Sequence, residues 1–284
     1  MRTVMTSLFA LYVLMSQQAF ANDLFDILQA AENDNAQAQM VLGGMYEIGI
    51  GVAQNNEQCA YWWQRASDLG HVNATKALGS MYFSGRGVAQ SYEKAMELYT
   101  KSAEQGHPHS IKYVALGYKR GLGLPQDDAK AAEWQARAEE LSGPDADVVL
   151  LDSYQSVETE PKNDDELFAE FKSQADKGNT RGFFYVGAAY MSGTGTPMDH
   201  VEGAKWIKQA AELGNASGVA DYGLVSQLGQ GVPVDRVEAQ KWHYIAEAMR
   251  PEETRFLSEI NTRYMSEAGL AEARSQADAW LATH

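Results

Sequence analysis

The sequence predicts an all-α fold, an α-solenoid of six tandem helix-turn-helix units that are each 36 residues long. Three features predict it: a tyrosine recurs at a fixed spacing, a pair of glycines follows it, and a helix-capping residue comes next. Units of this size form stacked arrays, because one helix pair cannot bury its own apolar face without a neighbour. A capping helix is expected at each end of the array.

The first helix of each unit carries a tyrosine with an apolar residue four positions before it, which is the spacing of one helix face. The tyrosines are Tyr46, Tyr82, Tyr118, Tyr154 and Tyr190, with Ser226 at the sixth mark. A Gly-x-Gly turn follows in every unit except the fourth. The glycine pairs are Gly49 and Gly51, Gly85 and Gly87, Gly121 and Gly123, Gly193 and Gly195, and Gly229 and Gly231.

The second helix of each unit begins after a residue type that is preferred as an amino-terminal cap. These residues are Asn55, Ser91, Asp127, Asn163, Asp199 and Asp235. Three positions later, a Gln or Glu side chain predicts a reciprocal capping box in four units, at Gln58, Glu166, Glu202 and Glu238. A glycine that can adopt the left-handed conformation is predicted to end the second helix, at Gly70, Gly106, Gly178 and Gly214.

The fourth unit, about residues 144–179, diverges from the others because it lacks the turn glycines and carries an acidic turn near Glu158–Glu166. An interdomain linker is the alternative interpretation. Asn163 and Gly178 keep the register of the array, however, and this favours a fourth repeat.

The repeats are therefore assigned to residues 36–250. A helix within residues 22–35 is expected to cap the amino-terminal end. Residues 251–284 are expected to cap the other end with two helices, Pro251 to Asn261 and Gly269 to Ala282. The second of these is predicted to bury one face, formed by Leu270, Ala273, Ala277 and either Trp280 or Leu281.

Residues 1–21 have the pattern of a secretory signal peptide. Arg2 precedes an apolar stretch from Val4 to Met15, and Ala19 to Ala21 has the A-x-A form of a cleavage site. This stretch is too short to cross a bilayer, which requires about 20 residues. We predict cleavage between Ala21 and Asn22 and a location in the bacterial periplasm or outside the cell. A membrane anchor or a core helix is the alternative.

Composition argues against several functions. Lys and Arg total 23 against 38 Asp and Glu, a formal charge of −15 that becomes −16 without Arg2, so no general binding of nucleic acid is expected. Cys59 is the only cysteine and cannot form an internal disulfide. No Cys and His spacing suits zinc. We therefore predict no cofactor and no metal.

Two short motifs resemble catalytic or metal sites but are better explained by the repeat. Ser91-x-x-Lys94 matches a serine-lysine pattern of penicillin-interacting enzymes, yet Ser91 is the predicted cap and the companion motifs are absent. His107 and His109 lack a third ligand nearby, and His71 occupies the same phase as His107, so a helix start is favoured. We predict no catalytic residue.

The run from Ala74 to Gly106 contains many of the residues that recur in the repeats. They are Ala74, Leu78, Gly79, Tyr82, Gly85, Gly87, Val88, Lys94, Ala95, Lys101, Ser102, Ala103 and Gly106. The run closely resembles the Sel-one-like repeat, a relative of the tetratricopeptide repeat, and the resemblance extends over about 216 residues. It implies a right-handed superhelix that serves mostly as a protein-binding scaffold. A cysteine-rich branch of the family is linked to β-lactamase activity, but its paired cysteines are missing here.

Stacked first helices are expected to line a curved groove that suits a protein or peptide. The predicted partner-binding residues on this face are Lys76, Phe83, His109, Lys112, Lys119, Arg120, Arg181, Phe184 and Met191. The basic residues could receive an acidic segment, and the aromatic and methionine side chains could anchor apolar groups. The alternatives are a solvated helix face for the basic residues and inter-repeat core for the apolar ones.

Three hypotheses for the function follow from the sequence and the resemblance. The first is a periplasmic scaffold or adaptor, monomeric until it binds an unidentified protein partner in its groove. The second is an immunity or inhibitor protein against a secreted toxin, in which the acidic surface would attract a basic partner. The third, which rests on the resemblance alone, is a β-lactamase-like enzyme that interacts with penicillin.

Overall fold

The computed structural model describes residues 21–142 and 164–284, and all regular structure in these two ranges is helical. The all-α class of helical repeats is therefore confirmed. The predicted signal peptide lies outside the described residues, except for Ala21. The residues predicted to form the first helix and the turn of the divergent fourth repeat also lie outside the described residues.

Helix α1 covers residues 21–32. The remaining helices are α2 (Ala36–Ile48), α3 (Asn56–Asp68), α4 (Val72–Ser84), α5 (Tyr92–Glu104), α6 (Pro108–Arg120), α7 (Asp128–Ser142), α8 (Asp164–Asp176), α9 (Thr180–Ser192), α10 (His200–Glu212), α11 (Ala216–Leu228), α12 (Arg236–Met249), α13 (Pro251–Thr262) and α14 (Glu267–Leu281).

The described residues form two compact units. We call residues 30–47 and 55–142 the N-unit, and residues 21–29, 48–54 and 164–284 the C-unit. In the N-unit, consecutive helices pack against each other: α3 with α4, α4 with α5, α5 with α6, and α6 with α7. In the C-unit the same order holds from α8 to α13, and α14 packs against α12.

The capping residues occupy their predicted places, but the capping boxes do not form. The Asn55 side chain accepts hydrogen bonds from the backbone N–H groups of Glu57 and Gln58, both at 3.0 Å. The backbone N–H of Asn55 donates to the carbonyl of Tyr46 at 2.9 Å, so it is not available to the Gln58 side chain. Equivalent backbone bonds of 2.9–3.0 Å join Ser91 to Tyr82, Asp127 to Tyr118, Asp199 to Tyr190, and Asp235 to Ser226.

The boxes predicted at Gln58, Glu202 and Glu238 are therefore wrong. The carboxylates of the two glutamates bind elsewhere: Glu202 pairs with Lys205, and Glu238 accepts from the Trp242 indole at 2.9 Å. The cap that belongs to Glu166 is Asn163, which lies outside the described residues.

The second glycine of four of the five Gly-x-Gly turns lies against the second helix of the preceding repeat. A Cβ atom on Gly87, whose φ is +71°, would stand 2.2 Å from the carbonyl oxygen of Asn56, the first residue of α3. The equivalent contacts join Gly123 to Tyr92, Gly195 to Asp164, and Gly231 to His200. Glycine is required at this position both by the left-handed backbone and by the close approach of neighbouring repeats.

The core of the N-unit lies between successive helices, both within a repeat and between neighbouring repeats. Leu78 is buried, and Gly79 lies so close to the Tyr99 ring that a Cβ atom would stand 3.1 Å from it. Buried Cys59 contacts the Met81 sulfur at 3.7 Å, and burial raises the pKa of its thiol. A thiol in this setting is an apolar packing group.

The carboxy-terminal helices match the prediction closely. Ala273 and Ala277 of α14 are fully buried, and Leu270 and Trp280 are half-buried. Leu281 is exposed, so the choice that the sequence left open is settled in favour of Trp280.

His243 of α12 is a fully buried, uncharged imidazole. Its Nε2 atom lies 2.8 Å from Oε1 of Gln227, and burial lowers its pKa to about 3 from the ordinary value of 6.5. The ring therefore stays neutral in the folded protein at mildly acidic pH.

Replacing Gly87 by Ala tests the contact between repeats, and Gly106 provides the matched control. Gly106 also has a positive φ of +87°, but no atom lies within 4 Å of the position of its Cβ. Gly106→Ala should lower the free energy of unfolding by about 1–2 kcal/mol, the cost of a left-handed alanine. Gly87→Ala should lower it by about 1–3 kcal/mol more, because of the steric overlap. Equal losses in denaturant titrations would contradict the assigned role.

The pH dependence of stability tests the buried histidine. Below pH 6.5 the unfolded chain binds a proton at His243 that the folded protein does not bind. The free energy of unfolding therefore decreases as the pH is lowered. Between pH 7.5 and 5.5 the loss from this group should be about 1.4 kcal/mol. His243→Gln should remove that part of the loss. A variant whose free energy of unfolding changes with pH as in the wild type would show that another group is responsible.

Candidate partner-binding surface

Four basic side chains of the N-unit lie on its first helices, and we call them the basic surface. Lys76 lies on α4, and Lys112, Lys119 and Arg120 lie on α6. Lys76 and Lys112 are 36 residues apart, so they occupy equivalent positions in successive repeats. Lys119 and Arg120 belong to the last turn of α6, where the helix dipole favours positive charge.

The residues of the basic surface are exposed or half-buried, and none is fully buried. Lys119 is exposed and forms an ion pair of 3.1 Å with Asp128, which is also exposed. Lys76, Lys112 and Arg120 are half-buried. An exposed pair such as Lys119 and Asp128 contributes little to folding, so the lysine can exchange this partner for another carboxylate at small cost.

His109 lies beside the basic surface, exposed at the start of α6. The neighbouring His107 is the cap of α6, and its Nδ1 accepts the backbone N–H of Ser110 at 3.4 Å. His71 caps α4 in the same way through the N–H of Ala74 at 3.2 Å. The helix-start interpretation of these histidines is therefore confirmed. Across residues 21–142 and 164–284, no group of three or more potential metal ligands is found.

Phe83 is already engaged in packing between the second and third repeats. Its ring meets Tyr92 edge to face at 5.1 Å and lies 6.0 Å from Tyr113. It is half-buried against the core of the N-unit. These contacts support the alternative interpretation, in which Phe83 packs between repeats rather than binding a partner.

Met191, in the C-unit, was wrongly assigned to the groove. Its side chain is completely buried. It fills space left by Gly203 on α10, where a Cβ atom would stand 2.9 Å from the Met191 Cγ. The prediction failed because it used only the sequence of α9. That sequence does not show that the facing helix, α10, has a glycine opposite Met191.

Arg181 and Phe184, also in the C-unit, lie together around the ring of Tyr185. The Arg181 guanidinium is 5.3 Å from the ring centre and donates to the Tyr185 hydroxyl at 3.3 Å. Phe184 meets the same ring edge to face at 5.5 Å. Arg181 is exposed and Phe184 half-buried, so these two remain candidates for contact with a partner.

The two units differ in charge. The described residues of the N-unit include 10 basic and 13 acidic residues, a net charge of −3, while those of the C-unit include 11 basic and 20 acidic residues, a net charge of −9. The basic surface therefore belongs to the less acidic unit. The net negative charge of that unit repels an anionic group less than that of the C-unit would.

Ser91 and Lys94 do not form a catalytic pair. The Ser91 hydroxyl oxygen accepts the backbone N–H of Lys94 at 3.2 Å, as an ordinary cap. The Lys94 ammonium lies 5.2 Å from the centre of the Tyr82 ring. The lysine nitrogen is therefore engaged with the tyrosine face, as a cation–π pair.

Comparison with known proteins identifies the array. The Sel1 repeat matches residues 36–71, 73–107, 113–142, 184–215 and 216–249. The chain belongs to the Sel1 repeat family. The divergent fourth unit is not among the matched segments, so its assignment as a repeat stays a prediction.

Two solved structures are similar to the chain. One is c5321, a protective antigen present in uropathogenic Escherichia coli strains that displays an SLR fold, with 24% identity, a TM-score of 0.43, and coverage of 90% of this chain and 62% of that one. The other is a Sel1 repeat protein from Oxalobacter formigenes, with 25% identity, a TM-score of 0.39, and coverage of 75% and 85%. No curated protein sequence matches the chain.

Sel1 repeat proteins typically act as scaffolds for protein–protein interaction, and the family is generally non-enzymatic. Among the described helices of this chain, none is long and apolar enough to cross a membrane.

Proposed function

We propose that this protein is a periplasmic scaffold and that its basic surface binds an acidic segment of a partner protein. The observation that carries the proposal is the position of this surface: Lys76 and Lys112 repeat on successive first helices, and Lys119 and Arg120 extend the same charge along α6. A partner with spaced carboxylates could contact several of these cations at once.

The expected binding is electrostatic in character. Exposed charges at the rim of an interface mainly raise the association rate and select a complementary partner, and salt screens them. The affinity should therefore fall with ionic strength. His109 would lie at one side of the contact, because it is exposed at the beginning of α6.

Export is supported by the signal-peptide pattern of residues 1–21. If the pattern is used, the protein isolated from a periplasmic extract should begin at Asn22, with a mass lower by that of residues 1–21. Mass spectrometry of the intact protein and of its amino-terminal peptide measures this directly. Recovery in the cytoplasm with Met1 still present would contradict the periplasmic assignment.

The binding proposal is tested by reversing two charges. Lys112→Glu with Lys119→Glu should weaken capture of the partner from an envelope extract by about tenfold and reduce its salt dependence. The matched control is Lys205→Glu with Lys208→Glu, which makes the same charge change on α10 of the C-unit, where Lys205 is exposed, Lys208 is half-buried and both are paired with glutamates. The midpoint of thermal unfolding should change little in either variant.

Two results would count against the proposed site. Equal loss of binding in both double variants would mean that net charge, not this surface, determines the interaction. Unchanged binding in the Lys112 and Lys119 variant would move the contact elsewhere.

The acidity of the C-unit keeps an immunity or inhibitor function as a second candidate. A net charge of −9 on its described residues would attract a basic toxin. The decisive measurement is survival: if a toxin gene lies beside the gene of this protein, expression of the protein should protect cells from that toxin, and a lack of protection would remove this candidate.

A further inference from the structure

Asp23, near the start of α1, is a buried carboxylate with no exposed surface. Its two oxygens accept hydrogen bonds from Arg236 of α12, at 3.3 Å to Oδ1 and 3.0 Å to Oδ2. This is the bidentate geometry by which arginine recognises carboxylates. Burial raises the pKa of Asp23 despite the opposing effect of Arg236.

Arg236 is held in place to receive this carboxylate. Its Nη1 also donates to Oδ1 of Asn261 at 2.9 Å, and its guanidinium lies 4.6 Å from the centre of the Tyr264 ring. The amide nitrogen of Asn261 donates to the backbone carbonyl of Arg236 at 2.9 Å. The side chain is therefore fixed by groups of the C-unit that are not part of α1, and such preorganisation is typical of a recognition site.

A second carboxylate, three residues further along α1, makes a similar contact. Oδ2 of Asp26 accepts from the Tyr264 hydroxyl at 3.0 Å and from Arg263 at 3.3 Å. Residues three apart lie on one face of a helix. Ile27 on the same face is fully buried, whereas Phe25 points away and is 61% exposed.

The receiving residues occupy the end of the repeat array. In the first, second, fourth and fifth repeats, the carbonyl of the residue equivalent to Arg236 is covered by a turn glycine of the next repeat, as Gly231 covers His200. No Gly-x-Gly turn follows Arg236 in the sequence, and Asn261 binds its carbonyl instead. The repeat pattern thus does not require a basic residue at position 236 or the carboxylates opposite it.

We propose that Arg236, Asn261, Arg263 and Tyr264 form a recognition site for an amphipathic helix with carboxylates three residues apart, and that residues 22–29 occupy it as a displaceable internal ligand. A partner helix with the same arrangement would bind by replacing this segment. The inference goes beyond the proposed function, because it concerns the C-unit and does not depend on the basic surface.

A labelled peptide of residues 22–33 tests the site by fluorescence anisotropy with the purified protein. The receiving protein carries Asp23→Ala and Asp26→Ala, which weaken its own segment. The peptide should bind this variant at least about tenfold more tightly than it binds the wild type, since the internal segment competes in the wild type. A control peptide with Asn at both carboxylate positions should bind about tenfold more weakly, and adding Arg236→Gln to the variant should abolish binding. Arg255→Gln, which changes a surface pair on α13, should not.

Equal binding of the two peptides, or no binding to the folded variant, would overturn the proposal. A second measurement covers the case in which the variant does not fold. In the wild type, amide hydrogen exchange of residues 22–29 should be at least about tenfold faster than that of α12 and α13, because release of the segment is local. Exchange of all three at one rate would show that the segment is core structure and would also overturn the proposal.

Discussion

One backbone hydrogen bond recurs in all five repeats whose two helices are both described. The N–H of the residue that caps the second helix donates to the carbonyl of the residue at the position of the recurring tyrosine in the first helix. It joins the two helices of the repeat across the glycine turn, as from Ser91 to Tyr82 at 2.9 Å. Because only backbone atoms take part, the mark can be occupied by a serine, as at Ser226. The left-handed glycines are the residues that allow the turn to close in this way.

Because this bond already engages the N–H of the capping residue, the side chain of the third residue of the second helix is not needed for capping. The charge of that side chain can therefore vary from repeat to repeat. Lys94 and Lys130 occupy this position in the second and third repeats, and each ammonium lies 5.2 Å from the ring centre of a marker tyrosine. In the fifth and sixth repeats the position holds Glu202 and Glu238. The packing pattern therefore fixes the helices while permitting the two units to differ in charge, and this difference is what a scaffold can use to select partners.

The sequence was sufficient for features that depend on local structure. Helix starts, glycine stops and the buried face of α14 follow from propensity, dihedral angles and helical period, all of which act within a few residues. Met191 was misplaced because its burial depends on Gly203 of another helix. The contact between Asp23 and Arg236 joins residues 213 positions apart, and no local pattern could have paired them. A hint was present, since Arg236 is the only Lys or Arg among the residues that begin the described second helices.

The two candidate surfaces differ in how their charges are solvated, and this determines what each could contribute. On the basic surface, Lys119 remains in water, so a partner carboxylate gains little energy there but is guided to the surface by several cations together. At Arg236 the carboxylate is removed from water, and the desolvation penalty offsets much of the attraction. Such a pair discriminates strongly between a carboxylate and any other group, because an unmatched arginine left buried would be costly. Burial thus favours specificity at one surface, and exposure favours rapid association at the other.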